Sequence, residues 1–487
     1  MSYKVGIIGS GIAGIAIAIR LAKKGNHVEV FEATDNPGGK LSEIKLGNYR
    51  FDAGPSLFTL PVLVDELFEL CGENPREYFN YSRLDINCEY FYDDGTQLTA
   101  YSDLQKFNNE IHSKLGEPKK SLESALKNSD SLYNSLSELF MFSSLQDIRT
   151  FFSKAALKAY LKIPQLGFFS TMHGANKKFF RDSRLVQLFD RYATYNGSSP
   201  YQTPATLNII PHLEMSIGAF FPEGGMYSIT KSLVALAERQ GVKFHYNHRV
   251  DEISINQKRV KGLKINNEIR KFDRVVSNMD IVNSYKKLMP SIKAPEFLLK
   301  QPKSSSALIF YWGIKRQFSN LNVHNIFFSK NYQKEFDHLF ETKSVDDDPT
   351  VYVHISSKLE NSDAPSYGEN WFTMINVPNN SGQDWDQIIT EARENIIGKL
   401  SRILKAPIGD LIECEEILDP RLIETKTSSA LGALYGNSSN NLFAAFLRHA
   451  NKSRRIKGLY FCGGSVHPGG GIPMSLSSAK IVDKYFS

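Results

Sequence analysis

Val5-Gly6-Ile7-Ile8-Gly9-Ser10-Gly11-Ile12-Ala13-Gly14-Ile15-Ala16-Ile17-Ala18-Ile19-Arg20 is the stretch on which the reading of this chain turns. Val5, Ile7 and Ile8 form a short apolar run, and beyond the glycines Ile15, Ala18, Ile19 and Ala22 recur at helical spacing. The segment predicts a strand, a tight turn and a helix. Gly9 permits the turn, Gly11 lets backbone approach a pyrophosphate with no Cβ between them, and Gly14 lets the helix lie close on the sheet. The helix N-terminus then faces the phosphates. A second strand predicted over 28–31 ends in Glu32, 18 residues beyond Gly14. A carboxylate there accepts hydrogen bonds from ribose hydroxyls and repels a 2′-phosphate, which disfavours NADP. Three spaced glycines alone are common. With strand, helix, second strand and terminal acid in place they define a dinucleotide-binding unit, and NAD and FAD both remain open at this point.

At 487 residues the chain is too long for one core, so two or three structural units are expected. An apolar fraction of 41% and an aromatic fraction of 12% suit a large interior and exclude a disordered or repeat composition. The balance of 58 basic against 52 acidic residues, net +6, is too mild to point to nucleic acid. Cys71, Cys88, Cys414 and Cys462 show no CxxC spacing, so neither a metal site nor a disulfide framework is predicted and a reducing cytoplasm fits. Residues 5–19 are uncharged but short for a membrane span, and their patterned glycines belong to the nucleotide-binding turn.

Near the far end, Leu459, Tyr460 and Phe461 read as a strand. Gly463-Gly464-Ser465-Val466-His467-Pro468-Gly469-Gly470-Gly471-Ile472-Pro473 follows, then an apolar helical segment reaching Ile481. Five glycines and two prolines in one loop leave little side chain between backbone and whatever docks there, and a flat ring fits that description. The helix beyond it points its N-terminus at a group bearing negative charge.

Several of these motifs resemble those of known flavoproteins. Pro37-Gly38-Gly39-Lys40, just past the second strand, resembles the extended fingerprint of the glutathione reductase-like FAD proteins. Phe51-Asp52-Ala53-Gly54-Pro55 resembles the loop near the flavin in the amine oxidase and carotenoid desaturase group. The run 458–480 closely resembles the C-terminal signature of bacterial carotenoid desaturases. Its Gly-Gly-Ser lead into His-Pro-Gly-Gly-Gly is most similar to the 1-hydroxycarotenoid 3,4-desaturase branch, whereas phytoene desaturases commonly interrupt the glycines with alanine. The resemblance covers the whole chain. Residues 221–227 are similar to the family's proline-glycine-glycine-methionine turn, 248–250 to its second adenine-side strand, and 273–280 to the strand leading back out of the flavin unit.

The resemblance implies an α/β fold: a Rossmann-type FAD-binding domain of the glutathione reductase/amine oxidase kind, a mixed-sheet substrate domain and a helical membrane-facing lid. It places 1–74, 222–284 and 446–487 in a discontinuous FAD-binding domain, 75–115 and 285–445 in the substrate domain, and 116–221 in the lid. It implies one FAD, with Gly9, Gly11, Ile12, Ala13 and Gly14 at the pyrophosphate and Glu32 and Ala33 at the adenosine ribose. Gly39, Lys40, Gly54, Pro55, Ser56 and Val250 complete the nucleotide side, and Gly464, Gly471, Ile472 and Pro473 lie beside the isoalloxazine. Strand-like runs at 307–312, 351–354 and 371–375 mark the substrate sheet.

Between 148 and 181 there is no acidic residue, but there are seven basic and seven aromatic ones. Lys154, Lys158 and Lys162 form one helical stripe and Leu157 with Leu161 another. The segment reads either as an amphipathic helix at an anionic membrane surface or as a core helix with a solvated face. The pairs Phe151-Phe152, Phe168-Phe169 and Phe179-Phe180 favour the membrane.

For function, the resemblance implies an FAD-dependent oxidoreductase that desaturates an acyclic carotenoid end group, at C3–C4 of a 1-hydroxycarotenoid or γ-carotene-type substrate. The enzyme would be cytoplasmic, held peripherally on the membrane, and reoxidised by oxygen or a quinone. His467 is a candidate general base, or a residue that orders its loop; Glu214 is a second candidate, with His212 beside it. Cys462, at a strand end and outside any Ser-Gly-Gly-Cys-Tyr motif, reads as a buried thiol rather than a covalent flavin link. Rival readings are phytoene desaturase, carotenoid isomerase or saturase, flavin amine oxidase, and a non-catalytic prenyl-binding escort similar to the Rab dissociation inhibitors.

Overall fold

The computed structural model describes residues 2–147, 150, 152–153, 156–157 and 170–486. The decisive stretch forms the strand Lys4–Ile8, the glycine turn and the helix Ile12–Lys23. Lys4–Ile8 is the centre of a five-stranded parallel sheet, with Arg274–Ser277 and Leu459–Phe461 on one side and His27–Phe31 and Lys243–His245 on the other. Both faces are covered, as parallel sheets require. Val5, Ile7, Val30 and Val276 face the helices Ile12–Lys23, Val62–Cys71, Tyr227–Arg239 and Ile472–Asp483. The alternate residues Ile8, Phe31, Val275 and Phe461 face an antiparallel three-stranded sheet, Val250–Asn256, Arg259–Ile265 and Glu268–Lys271. Each such buried aliphatic side chain contributes roughly 1.5–3 kcal/mol. The period-two switch between helix and sheet cover therefore holds this layer together.

A seven-stranded mixed sheet stands apart, in the order Ile412–Leu418, Ser306–Ile314, Glu369–Val377, Val351–His354, His324–Phe327, Ile86–Phe91, Gln97–Tyr101. All pairs are antiparallel except His324–Phe327 with Ile86–Phe91. One face, with Leu308, Phe310, Trp312, Phe327, Val353, Trp371 and Ile375, is sealed against the helix Trp385–Leu404. The opposite face is left for something else. Three of its strands coincide with the strand-like runs in the sequence. The Ile86–Phe91/Gln97–Tyr101 hairpin joins the same sheet through the pairing of Ile326 with Tyr90, 236 residues apart, which no local pattern announces.

Helices Lys119–Phe140, Met172–Phe179 and Ser183–Asp190 roof that free face. Of the segment expected at a membrane, Lys154, Lys158, Lys162, Leu161, Phe151, Phe168 and Phe169 lie outside the described residues. Phe152 and Leu157 are exposed. The Phe179-Phe180 pair does not suit a membrane surface: Phe180 is buried, its ring 4.5 Å from that of Phe189, because Met172–Phe179 turns back onto Ser183–Asp190. Among the described residues no helix is long and apolar enough to cross a membrane.

Candidate active site

A cavity of about 1770 Å³ extends from the carboxyl ends of the parallel strands to the free face of the mixed sheet. Gly9, Gly11, Ile12, Ala13, Glu32, Ala33, Gly39, Lys40, Gly54, Pro55, Ser56, Val250, Gly464, Gly471, Ile472 and Pro473 line it. Three helices open on it at Gly11, Tyr227 and Gly471, so their N-terminal amides form the positive ends of dipoles at its wall. Gly14 does not line the cavity. A Cβ there would sit 2.2 Å from the Gly9 carbonyl oxygen, so this glycine lets the helix close on the turn instead of touching a ligand. Gly9 itself has φ +89°.

The turn is held by two side chains. Glu32 accepts from Ser10 N and Ser10 Oγ (2.8 Å each) through one oxygen and from Thr34 N and Thr34 Oγ1 through the other. Asn278, at the end of Arg274–Ser277, accepts from Gly14 N (3.2 Å) and donates to the Cys462 carbonyl (3.1 Å), joining the first and last motifs. Asp52 accepts from Met226 N (2.8 Å) and Tyr227 N (3.0 Å), which fixes the 52–56 loop to the start of Tyr227–Arg239. Lys40 donates to the carbonyls of Ala433 (3.2 Å) and Leu434 (2.7 Å), and burial pushes it down to about 8 against the opposing pull of Asp280.

The glycine loop rests on Asn451, fully buried, whose amide donates to the carbonyls of Phe461 and His467 and to Ser478 Oγ. His467 is not brought to the cavity. It is buried, its Nε2 donates to the Ser143 carbonyl (2.7 Å), and desolvation pushes it down to about 4. The ring thus ties the loop to the turn that follows the roof helix Lys119–Phe140, and the general-base assignment is corrected to the loop-ordering one. Cys462 is a buried thiol in the apolar core, its pKa raised by burial, and lies away from the cavity lining. His212 packs against Tyr133, their rings tilted with centroids 4.9 Å apart, and is likewise not part of the lining.

Beyond the glycine loop the cavity becomes an apolar chamber. Its floor is the free face of the mixed sheet: Ala307, Ile309, Ile326, Phe372, Met374 and Leu418, one residue in two along each strand. Polar groups collect at one corner. Arg191 donates to Tyr195 OH (2.7 Å), Tyr90 OH (2.7 Å) and Glu214 Oε1 (3.0 Å), and Glu214 also accepts from Tyr192 and Tyr195. Glu214 lines the cavity as a fully bonded partner of Arg191, which suits support and not proton transfer. The sequence reading missed Arg191, Tyr195, His324 and Tyr352. Only the i, i+4 spacing of Arg191 and Tyr195 signals a shared helical face, and their meeting with the sheet is tertiary.

A chamber of this shape has room for a long apolar molecule beside a dinucleotide, and the chain is similar to several known proteins. The family described as flavin containing amine oxidoreductase matches residues 12–482. A 1-hydroxycarotenoid 3,4-desaturase of a Flavobacterium species is 50% identical over 98% of this chain and 97% of its own length. A phytoene desaturase of Phycomyces blakesleeanus is 30% identical over 98% of this chain and 83% of its own. Among solved structures, cyclohexylamine oxidase from Brevibacterium oxydans superposes with a TM-score of 0.63 at 14% identity, over 100% of this chain and 98% of that one, a likeness of fold.

Proposed function

Because the chain belongs to the flavin-containing amine oxidoreductase family, and within it to the carotenoid desaturases, we propose that it desaturates the acyclic end of a carotenoid, at C3–C4 of a 1-hydroxycarotenoid. It is an FAD-dependent oxidoreductase. The observation that carries the substrate reading is the chamber: an apolar sheet face roofed by helices and continuous with the dinucleotide groove. A polyene offers no charge, so such a wall is its only complement.

The residues fit FAD. Gly471 has φ +98° and a Cβ built on it meets nothing within 4 Å, so the loop leaves room there for a flat ring. Gly9, Gly11, Ile12 and Ala13 would hold the pyrophosphate at the N-terminus of Ile12–Lys23. Glu32 would be the acceptor for the ribose hydroxyls. Gly39, Lys40, Gly54, Pro55, Ser56 and Val250 would line the rest of the groove. FAD supplies a two-electron acceptor for the hydride lost from the substrate. The protein's own part is to orient the polyene along the sheet face, to exclude water with the roof helices, and to let the vicinal proton leave to a base or to water. Oxygen or a quinone would serve as the terminal electron acceptor.

The same reading assigns 1–74, 222–284 and 446–487 to the FAD unit, 75–115 and 285–445 to the substrate unit and 116–221 to the roof. For entry, we infer a peripheral seat on the cytoplasmic face of a membrane. The support is an apolar rim: Leu442 and Phe446 line the cavity while remaining part-exposed, and Phe443 and Phe152 stand out in solvent. The lysines 154, 158 and 162 would meet anionic head groups. The test of the whole reading is to supply FAD-loaded protein with an acyclic 1-hydroxycarotenoid. The expected product is two hydrogens lighter and absorbs at longer wavelength. Conversion of phytoene with no action on later carotenoids would overturn it.

A further inference from the structure

The apolar chamber has one polar corner whose bonding is incomplete. His324 sits at the start of the strand His324–Phe327, is 3% exposed and lines the cavity. Its Nδ1 is 2.7 Å from Tyr352 OH, which is 2.7 Å from Ser56 Oγ, so that nitrogen is committed and the phenol is fixed in place. Its Nε2 is buried with no partner among the described residues. Buried polar atoms are nearly always paired, and one left open in a ligand chamber points to a ligand. The facing wall carries a second such atom. Arg191, also lining the cavity, spends its two terminal nitrogens on Tyr90, Tyr195 and Glu214 but leaves Nε without an acceptor among the described residues. Sheet register brings the two walls together: Ile326 pairs with Tyr90, the residue Arg191 holds, and His324 lies one inward-facing position away.

We propose that this corner is the subsite for a neutral hydroxyl on the polyene, with His324 Nε2 as its hydrogen-bond partner and the Arg191–Glu214 pair as its wall. The chemistry of the corner selects that group. The guanidinium and the carboxylate of Arg191 and Glu214 cancel, and burial together with the neighbouring His354 and Arg191 holds the His324 imidazole well below its usual range, hence neutral. A carboxylate or an ammonium would enter this corner without a free counter-charge. An alcohol both donates and accepts, so it is served by either tautomer of His324. The surrounding floor, Ile309, Ile326, Phe372 and Met374, offers nothing polar, so a hydroxyl lying over that floor would be buried unpaired. His324 is in this sense a specificity-determining residue, and the inference rests on the carotenoid reading above.

The experiment compares, on FAD-loaded protein, the binding of two acyclic polyenes that differ only in a terminal tertiary hydroxyl, by the perturbation of flavin absorbance. The wild type is expected to bind the hydroxylated polyene about tenfold more tightly. His324→Leu should abolish that preference while leaving flavin content and affinity for the unhydroxylated polyene unchanged, and His324→Gln should retain part of it. Should His324→Leu fail to hold flavin, Tyr352→Phe, which removes only the hydroxyl on Nδ1, should reduce the preference in the same direction. A His324→Leu protein that keeps the preference, or that loses both polyenes equally, overturns the proposal. A wild type that binds both polyenes equally overturns it and leaves the desaturase reading standing. A wild type that binds neither overturns both.

Discussion

Gly471 and Gly25 make a matched pair for testing where the isoalloxazine lies. Both have positive φ, +98° and +80°, and a Cβ built on either meets no atom of the protein within 4 Å. Substituting alanine at either position therefore costs backbone strain of about 1–2 kcal/mol and no steric clash with the chain. The difference is in what they face: Gly25 ends the Ile12–Lys23 helix at the surface, and Gly471 starts the final helix on the cavity wall. If the ring lies against Gly471, the added methyl must be accommodated as overpacking, about 1–3 kcal/mol. That is about a 5- to 150-fold loss of FAD affinity. Titration of apoprotein with FAD, followed by the quenching of flavin fluorescence, gives the dissociation constant for Gly25→Ala, Gly471→Ala and wild type. Thermal unfolding without FAD separates out the backbone strain. Equal FAD affinity in the two variants would refute the placement of the ring.

Other outcomes follow from the same geometry. Glu32→Gln, which weakens the hold on Ser10 and the acceptor for the ribose, should lower FAD affinity by roughly tenfold or more, read in the same titration. Gly14→Val should abolish FAD binding by displacing the Gly9 carbonyl, detected as a colourless protein after purification. Glu66 joins the first and last helices through Arg20 and Lys480 (2.8 Å each); burial raises its carboxyl, but the two cations outweigh that and hold it below the usual range. Its folded value being depressed, the stabilisation is present above the unfolded carboxylate range near 4 and is lost as pH falls through the folded value. The gap in melting temperature between wild type and Glu66→Gln should thus close on acidification from pH 6, and a constant gap would argue against the ion pairs. Lys154→Glu, Lys158→Glu and Lys162→Glu together should reduce binding to acidic liposomes on the order of 100-fold, with FAD binding unchanged, since each basic residue near such a surface contributes about 1 kcal/mol.

The sequence by itself determined the dinucleotide layer, because its signals are local. Gly9 must adopt a positive φ, residues 15–22 keep helical spacing, and the loop 463–473 is poor enough in side chains to suit a flat group. Each motif carries its physical requirement within a dozen residues, so cofactor and family were legible at both ends of the chain. What only the tertiary structure decided depends on partners far apart in sequence. His467 looks like a catalytic histidine until the Ser143 carbonyl, 324 residues away, is seen to accept its hydrogen bond. Gly14 looks like a phosphate contact until the Gly9 carbonyl is found where its side chain would be. The chamber itself is set by strand register: the continuous apolar run 307–312 says that both faces are buried, but not which one the helix Trp385–Leu404 covers and which lines the chamber. The polar corner is further still from sequence, since Arg191, Glu214, His324 and Tyr352 meet only when a parallel pairing places His324–Phe327 beside Ile86–Phe91 under the roof helices. Side-chain chemistry is written in the residues, but whether a polar group is free to act is decided by what the fold places against it.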